Sequence, residues 1–215
     1  MIIFGHFCLI QVGYGDNFYN ELGSAEAAEE YIDSVLTHVQ VNYCHSSLTS
    51  SVLVERLDDI IHYEGYELSA DSASLQSMYD NTENDIGDAD LMVYFGWVGS
   101  TYTFGGGIAY VGTACIDSRY NKYKESINCY GTSESLVAES VAHEIGHNLG
   151  MYHDFAEHHG GTGDYSTSTN ECNYAGLMSY GDHASEWSTC SVSDFTAHYT
   201  EYVNSWCMPG MCSYT

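Results

Sequence analysis

Positive charge is scarce in this chain. Four Lys and Arg stand against 30 Asp and Glu in 215 residues, a formal net charge of −26. That excludes a partner held by phosphate neutralisation, whether nucleic acid or an anionic membrane surface. The acids are spread along the chain, so Glu26, Glu29, Glu30, Asp33, Asp58 and Asp59 read as solvated faces and the bias as a matter of solubility. Attraction of cationic substrates is the competing reading. No stretch approaches the roughly 20 apolar residues that cross a bilayer. The apolar opening, residues 1–12, is broken by Gly5 and His6 and has no basic start, so it reads as a strand rather than a targeting peptide. The eight cysteines contain no Cys-X-X-Cys pair, which argues against a structural zinc cluster or a dithiol redox motif. Their number favours an oxidising compartment with full pairing, hence a secreted or extracellular protein. Internal repeats and low-complexity tails are also missing, and the length suits one domain, 1–215.

Hydrophobic periodicity organises what remains. Strands are expected over 2–12, 52–61, 91–97 and 108–111, the third apolar throughout and so suited to burial on both faces. Ser24 is placed to cap a helix running to about Val41, with Glu26 in its first turn and Ala28, Ile32, Val35, Leu36 and Val39 on one face. A short polar helix is expected over 70–79. Thr132 or Ser133 starts another, with Val137, Val141, Ile145 and Leu149 as its apolar face. Residues 154–174, rich in Gly, Ser and Thr, read as loop. Ser191 and Asp194 resemble a capping box for a last helix that turns Phe195, Tyr199, Tyr202 and Trp206 to the core. Strands and helices alternate first and helix dominates late, which predicts an α/β chain ending in a small, mostly irregular lobe.

The chemistry is concentrated in residues 143–154, His-Glu-Ile-Gly-His-Asn-Leu-Gly-Met-Tyr-His-Asp. On a helix His143 and His147 lie one turn apart on the same face, so each can give one ring nitrogen to a single Zn²⁺. Glu144, beside the first ligand, is placed to take a proton from the water that the zinc activates. If His153 is the third ligand, the helix must stop and the chain reverse, and Gly150 can turn left-handed at little cost. Three histidines leave one position open for water or substrate, the mark of a catalytic site rather than a closed structural one. The ligands must be neutral, so metal affinity falls as pH drops through the imidazole range. A degenerate, non-catalytic copy is the alternative, but a motif kept for structure alone has no need of a general base.

The pattern HExxHxxGxxHD resembles the metzincin zinc signature, with a candidate Met-turn at Gly176, Leu177, Met178, Ser179 and Tyr180. Within the metzincins the chain is similar to the adamalysin (reprolysin) catalytic domain. Asp154 follows the third histidine as it does there. Gly107, Ile108, Ala109, Tyr110 and Val111, leading to Cys115, look like that family's substrate-binding edge strand. Trp187 to Ser191 look like the segment beyond its Met-turn. Cys8 to Val12, with Asp16, Phe18 and Gly23, are similar to the opening strand of its membrane-shedding branch.

The resemblance implies a metzincin fold: a five-stranded mixed twisted sheet with helices, an active-site cleft, an upper part over 1–150 and a lower part over 151–215. It implies a secreted, monomeric zinc endopeptidase acting on protein or peptide substrates with one catalytic Zn²⁺, usually made as a latent precursor; a structural Ca²⁺ is left open. Glu144 is then the general base, Met178 a soft apolar floor beneath the imidazoles, and Asp154 the residue that fixes the chain after the third ligand. The edge strand would take the substrate as an added strand, and residues 179–187 would wall the pocket past the scissile bond. The competing function is a zinc-binding toxin or interaction protein with a blocked cleft. By the same resemblance Cys115 pairs with Cys207 and Cys172 with Cys190, which leaves Cys44–Cys129 and Cys8–Cys212 as the guess for the rest.

Two departures stand out. Only Cys172 lies between His153 and Met178, where reprolysins usually carry more cysteines. Tyr180 stands two residues past Met178, where astacins and serralysins place a zinc-approaching tyrosine; a packing tyrosine beneath the site is the other reading. His158 and His159 read as solvated loop histidines, with a second metal site as the alternative. His6, His38, His45, His62, His183 and His198 show no ligand spacing.

Overall fold

A computed structural model describes residues 5–48, 52–82, 85–96, 106–115, 123–166, 172, 176–180, 186–203 and 210–211. Its centre is a mixed sheet of β1 (Gly5–Gly15), β2 (Val52–Tyr63), β3 (Leu91–Gly96), β4 (Gly107–Ala109) and β5 (Glu125–Cys129), in the order β2-β1-β3-β5-β4. β1 lies parallel to β2 and β3, and β3 parallel to β5, while β4 runs antiparallel to β5 at the end of the order. A two-residue sixth strand, β6 (Gly210–Met211), pairs with the start of β1.

Every residue of β3 is buried, because both faces of the sheet are covered. Leu91, Val93 and Phe95 face a core shared with α2 (Ala25–Tyr43) and α4 (Glu134–Asn148). Met92 and Tyr94 face a second core with Leu75 and Met78 of α3 (Ser72–Thr82). This two-sided burial accounts for the apolar run. Ser24 caps α2 as expected, its hydroxyl accepting the N–H of Ala27 at 3.1 Å. Ser133 holds the N-cap position of α4, but its hydroxyl bonds no helix N–H.

The structure departs from the sequence expectations at several points. α1 (Asp16–Leu22), closed by left-handed Gly23, is too short to show a period. β5 is wholly buried although its sequence, Glu-Ser-Ile-Asn-Cys, is mostly polar, so hydropathy hides it. β4 ends at Ala109, and Tyr110 and Val111 lie beyond it. There the chain turns to cap α4: Gly112 N–H donates to the His147 carbonyl at 2.7 Å, and Thr113 and Ala114 N–H donate to that of Asn148. These are the carbonyls that a helix end leaves without partners. The last α-helix, α5 (Thr189–His198), is capped by Ser188, whose hydroxyl accepts the N–H of Ser191, and it runs on into a π-helical turn, Tyr199–Val203. Ser191 and Asp194 are therefore inside the helix and do not form its capping box. Trp97, Trp206 and residues 181–185 of the expected pocket wall lie outside the described residues.

The cysteine expectation also needs correction. Cys172 and Cys190 form a disulfide, and Cys115 is disulfide-bonded, but Cys207 and Cys212 lie outside the described residues. Cys8, Cys44 and Cys129 are free thiols, which overturns Cys44–Cys129, Cys8–Cys212 and full pairing. Cys44 is exposed at the end of α2, whereas Cys129 is buried. Cys8 on β1 is separated from Cys129 on β5 by β3, roughly 9.5 Å of sheet, beyond disulfide reach. Among the described residues, no helix is long and apolar enough to cross a membrane.

Candidate metal centre

α4 carries His143 and His147 one turn apart, their rings edge to face at 4.7 Å. Each ring is held through Nδ1, His143 by the carbonyl of Leu177 at 2.7 Å and His147 by that of Met151 at 2.8 Å. A carbonyl only accepts, so both Nδ1 atoms carry the hydrogen and both Nε2 atoms present bare lone pairs. His153 Nε2 lies 3.1 Å from each of them. Two nitrogens on one tetrahedral zinc, each 2.0–2.1 Å from the ion, lie ~3.3 Å apart. His153 Nε2 thus stands from each of the other two at about the spacing that one zinc ion imposes, and one ligand atom from each ring falls within 4.8 Å of the others. The donor set fits the metal.

Burial keeps the rings neutral, as ligation requires. It lowers the pKa of His143, lowers that of His147 well below its usual value with help from the charges of His143 and His153, and brings His153 to about 4. His153 reaches the other two because Gly150 adopts φ +94°, letting the chain double back after α4. A Cβ there would stand 2.6 Å from Cβ of His198, so this glycine is required on two counts.

Glu144 lies on the same helix, its carboxyl buried and its pKa raised to about 8 by loss of solvation. A divalent cation at the imidazoles would oppose that shift. Across from it is Gly107 of β4: a Cβ at that position would come within 2.8 Å of Glu144 Oε1. The general-base candidate and the edge-strand backbone are in direct contact, and only glycine permits it.

The loop beneath brings Met178 under α4, fully buried. Its sulfur is 2.9 Å from where a Cβ would sit on Gly146, so the unspecified glycine inside the histidine motif has a packing role that sequence reasoning missed. Asp154 N–H donates to the Met178 carbonyl, and the Asp154 carboxylate accepts the hydroxyls of Ser188 and Ser191. Asp154 therefore ties the loop after His153 to the start of α5. His198, to which the sequence assigned nothing, is buried against Gly150 and bonds the Ala114 carbonyl.

Ile108 and Ala109 stay in the edge strand with Gly107, whereas Tyr110 packs on Tyr123 and its carbonyl accepts from Asn148. Tyr180 is not packed beneath the cluster. It is 62% exposed, with its hydroxyl 3.1 Å from His153 Nε2 and its ring among His143, His153 and Phe155. His158 is exposed, but the side chain of His159 is only 8% accessible, so the solvated reading fails for the second of the pair.

Fold and cluster together are those of a metzincin: a mixed sheet, a helix bearing two of three converging imidazoles, and a methionine turn below. Residues 29–154, more than half of the chain, match the metallo-peptidase family M12B, reprolysin-like, and the chain belongs to that family. It is 40% identical over 96 residues to disintegrin and metalloproteinase domain-containing protein 9 of Homo sapiens, across 43% of this chain and 10% of that protein. It is 42% identical over 50 residues to the zinc metalloproteinase-disintegrin-like protein kaouthiagin-like of Naja atra, across 23% of this chain and 8% of that one. The chain thus spans about a tenth of the length of these relatives. Among solved structures, metalloproteinase-II from Bacteroides fragilis superposes with a TM-score of 0.53 at 15% identity, over 92% of this chain and 54% of that one, which speaks for the fold alone.

Proposed function

We propose that this chain is a zinc-dependent endopeptidase in which His143, His147 and His153 hold the metal and Glu144 carries the proton. The observation that carries the reading is the convergence of His153 Nε2, 3.1 Å from the Nε2 atoms of both His143 and His147, beside a buried carboxyl that touches the sheet-edge strand. Zinc bound there would lower the pKa of water toward ~7 and polarise the peptide carbonyl. The chain's own groups do the rest. Glu144 takes the proton of the attacking water and delivers it to the leaving amine, for which a carboxyl with its pKa raised toward neutrality is suited. β4 supplies backbone groups for an extended substrate, so recognition rests mainly on strand pairing and on apolar contact past the scissile bond. Met178 sets the floor of the imidazole cluster and Asp154 fixes the loop that delivers His153. Tyr180, with its hydroxyl already 3.1 Å from His153 Nε2, would donate to the oxyanion as it develops.

The substrate is a protein or peptide, and the diffuse acidity makes no demand for basic residues in it. A secreted location is supported by the Cys172–Cys190 disulfide; the three free thiols weigh against it. The test is digestion of an unfolded protein. Cleavage should stop on chelation and return with Zn²⁺ alone. Tight zinc binding with no cleavage of any peptide would favour a binding protein with an occluded cleft instead.

A further inference from the structure

A second set of metal-ligating side chains lies on the other side of His153. The single 3₁₀ turn Glu157–His159 carries His158 and His159, and α5 brings Asp194 to both. His159 Nε2 is 2.9 Å from one carboxylate oxygen and His158 Nε2 is 3.4 Å from the other. One donor atom from each of the three residues falls within 4.8 Å of the others.

The anchoring of these groups makes this more than proximity. The His153 carbonyl accepts from His159 Nδ1 at 3.1 Å, which turns Nε2 to the carboxylate. Nε2 stands against a carboxylate oxygen of a side chain that is 92% buried. An imidazole nitrogen and a carboxylate oxygen thus converge in a place largely shut off from water, where a bound cation is paired rather than solvated. The carboxylate cannot swing away, because Tyr152 N–H donates to the same oxygen at 3.0 Å. His158 is held over the site by stacking on Tyr152 at 4.4 Å, and its exposure gives an ion a route in and leaves positions for water.

We propose that His158 Nε2, His159 Nε2 and the Asp194 carboxylate form a second site, separate from the three-histidine centre, for a divalent cation of the zinc class. Two imidazoles and one carboxylate suit zinc better than calcium or magnesium, which take oxygen. Ligand atoms on a tetrahedral zinc stand ~3.3 Å apart, so a small rotation of the exposed His158 completes the set. The net charge of −26 raises the local concentration of divalent cations. An ion here clamps the turn after the third histidine to α5, and His159 holds the His153 carbonyl, so the site braces the loop that delivers that ligand. If the cation is only a proton, the pair is His159 and Asp194 alone and His158 has no part.

Zinc uptake by metal-free protein, measured against a chromophoric chelator, separates these cases. Wild type should take up about two ions per chain. His158→Ala removes an exposed ring, leaves Asp194 bonded to His159 and Tyr152, and should take up about one. In His147→Ala, where the first ligand set is broken, the remaining ion should persist and should vanish when His158→Ala is added. Uptake of a single ion by wild type, or a second ion indifferent to His158→Ala, overturns the proposal. Failure of the three-histidine reading shows differently, as uptake that His147→Ala leaves unchanged.

Discussion

Gly150→Ala puts the geometry behind the third ligand to a direct test. The residue sits at φ +94°, where an L side chain costs about 1–2 kcal/mol. Its new Cβ would also stand 2.6 Å from the His198 Cβ and 2.8 Å from Cγ. His198 cannot simply retreat, since it is buried and bonded to the Ala114 carbonyl. Relieving such a contact in a packed interior costs about 1–3 kcal/mol. The sum, roughly 2–5 kcal/mol, should lower Tm by about 5–15 °C in a domain of this size. The strain lies three residues before His153, so zinc affinity should fall as well. Thermal unfolding followed by far-UV circular dichroism, with and without zinc, reads the first effect, and chelator competition reads the second. A variant that melts within about 2 °C of wild type and holds zinc equally well would refute the claim that this left-handed turn delivers the third histidine.

Other expectations follow from the same geometry. Tyr180→Phe should lower kcat roughly 10–100-fold with KM little changed, because the hydroxyl beside His153 Nε2 acts on the developing oxyanion; unchanged kcat would make it a packing residue after all. In zinc-free protein Glu144 has a folded pKa of about 8 against 4.5. Its contribution to stability is therefore fully present below pH 4.5 and lost as pH rises through 8. Between pH ~6.5 and 8, wild type should lose about 2 kcal/mol of stability relative to Glu144→Gln, a difference in which the titration of the histidines cancels. Thiol titration of denatured, unreduced protein should find Cys8, Cys44 and Cys129; complete absence of free thiol would restore full pairing.

The parts legible in the sequence were those with a local period or a local chemical reason. The α2 stripe and its Ser24 cap are of this kind, as are the apolar run of β3 and the 3.6-residue step that sets His143 above His147. Gly150 could be assigned because a third ligand ten residues after His143 demands a reversal. What stayed hidden depends on contacts made far along the chain. β5 is polar in sequence and buried only because helices and strands enclose it. Gly107 and Gly146 owe their identity to Glu144 and Met178, neighbours that no window contains. The hydroxyl of Tyr180 is placed by the turn at Met178, not by its own surroundings in sequence. Asp194 looked like a cap because it stands three residues after Ser191, yet Ser188 caps α5 and the carboxylate serves His159. Cysteine parity misled because pairing depends on which strands are neighbours, and β3 stands between Cys8 and Cys129.

The measurement that bears most directly on the central claim is the cleavage rate of an unfolded protein by zinc-loaded wild type and by Glu144→Gln, with zinc content determined on the same samples. Glutamine keeps the shape of the side chain against Gly107 and cannot carry the proton. The variant should bind zinc as wild type does and lose at least ~10³-fold in kcat/KM. Equal zinc content with cleavage within about tenfold of wild type would contradict the assignment of Glu144, and with it the chemistry proposed for the centre.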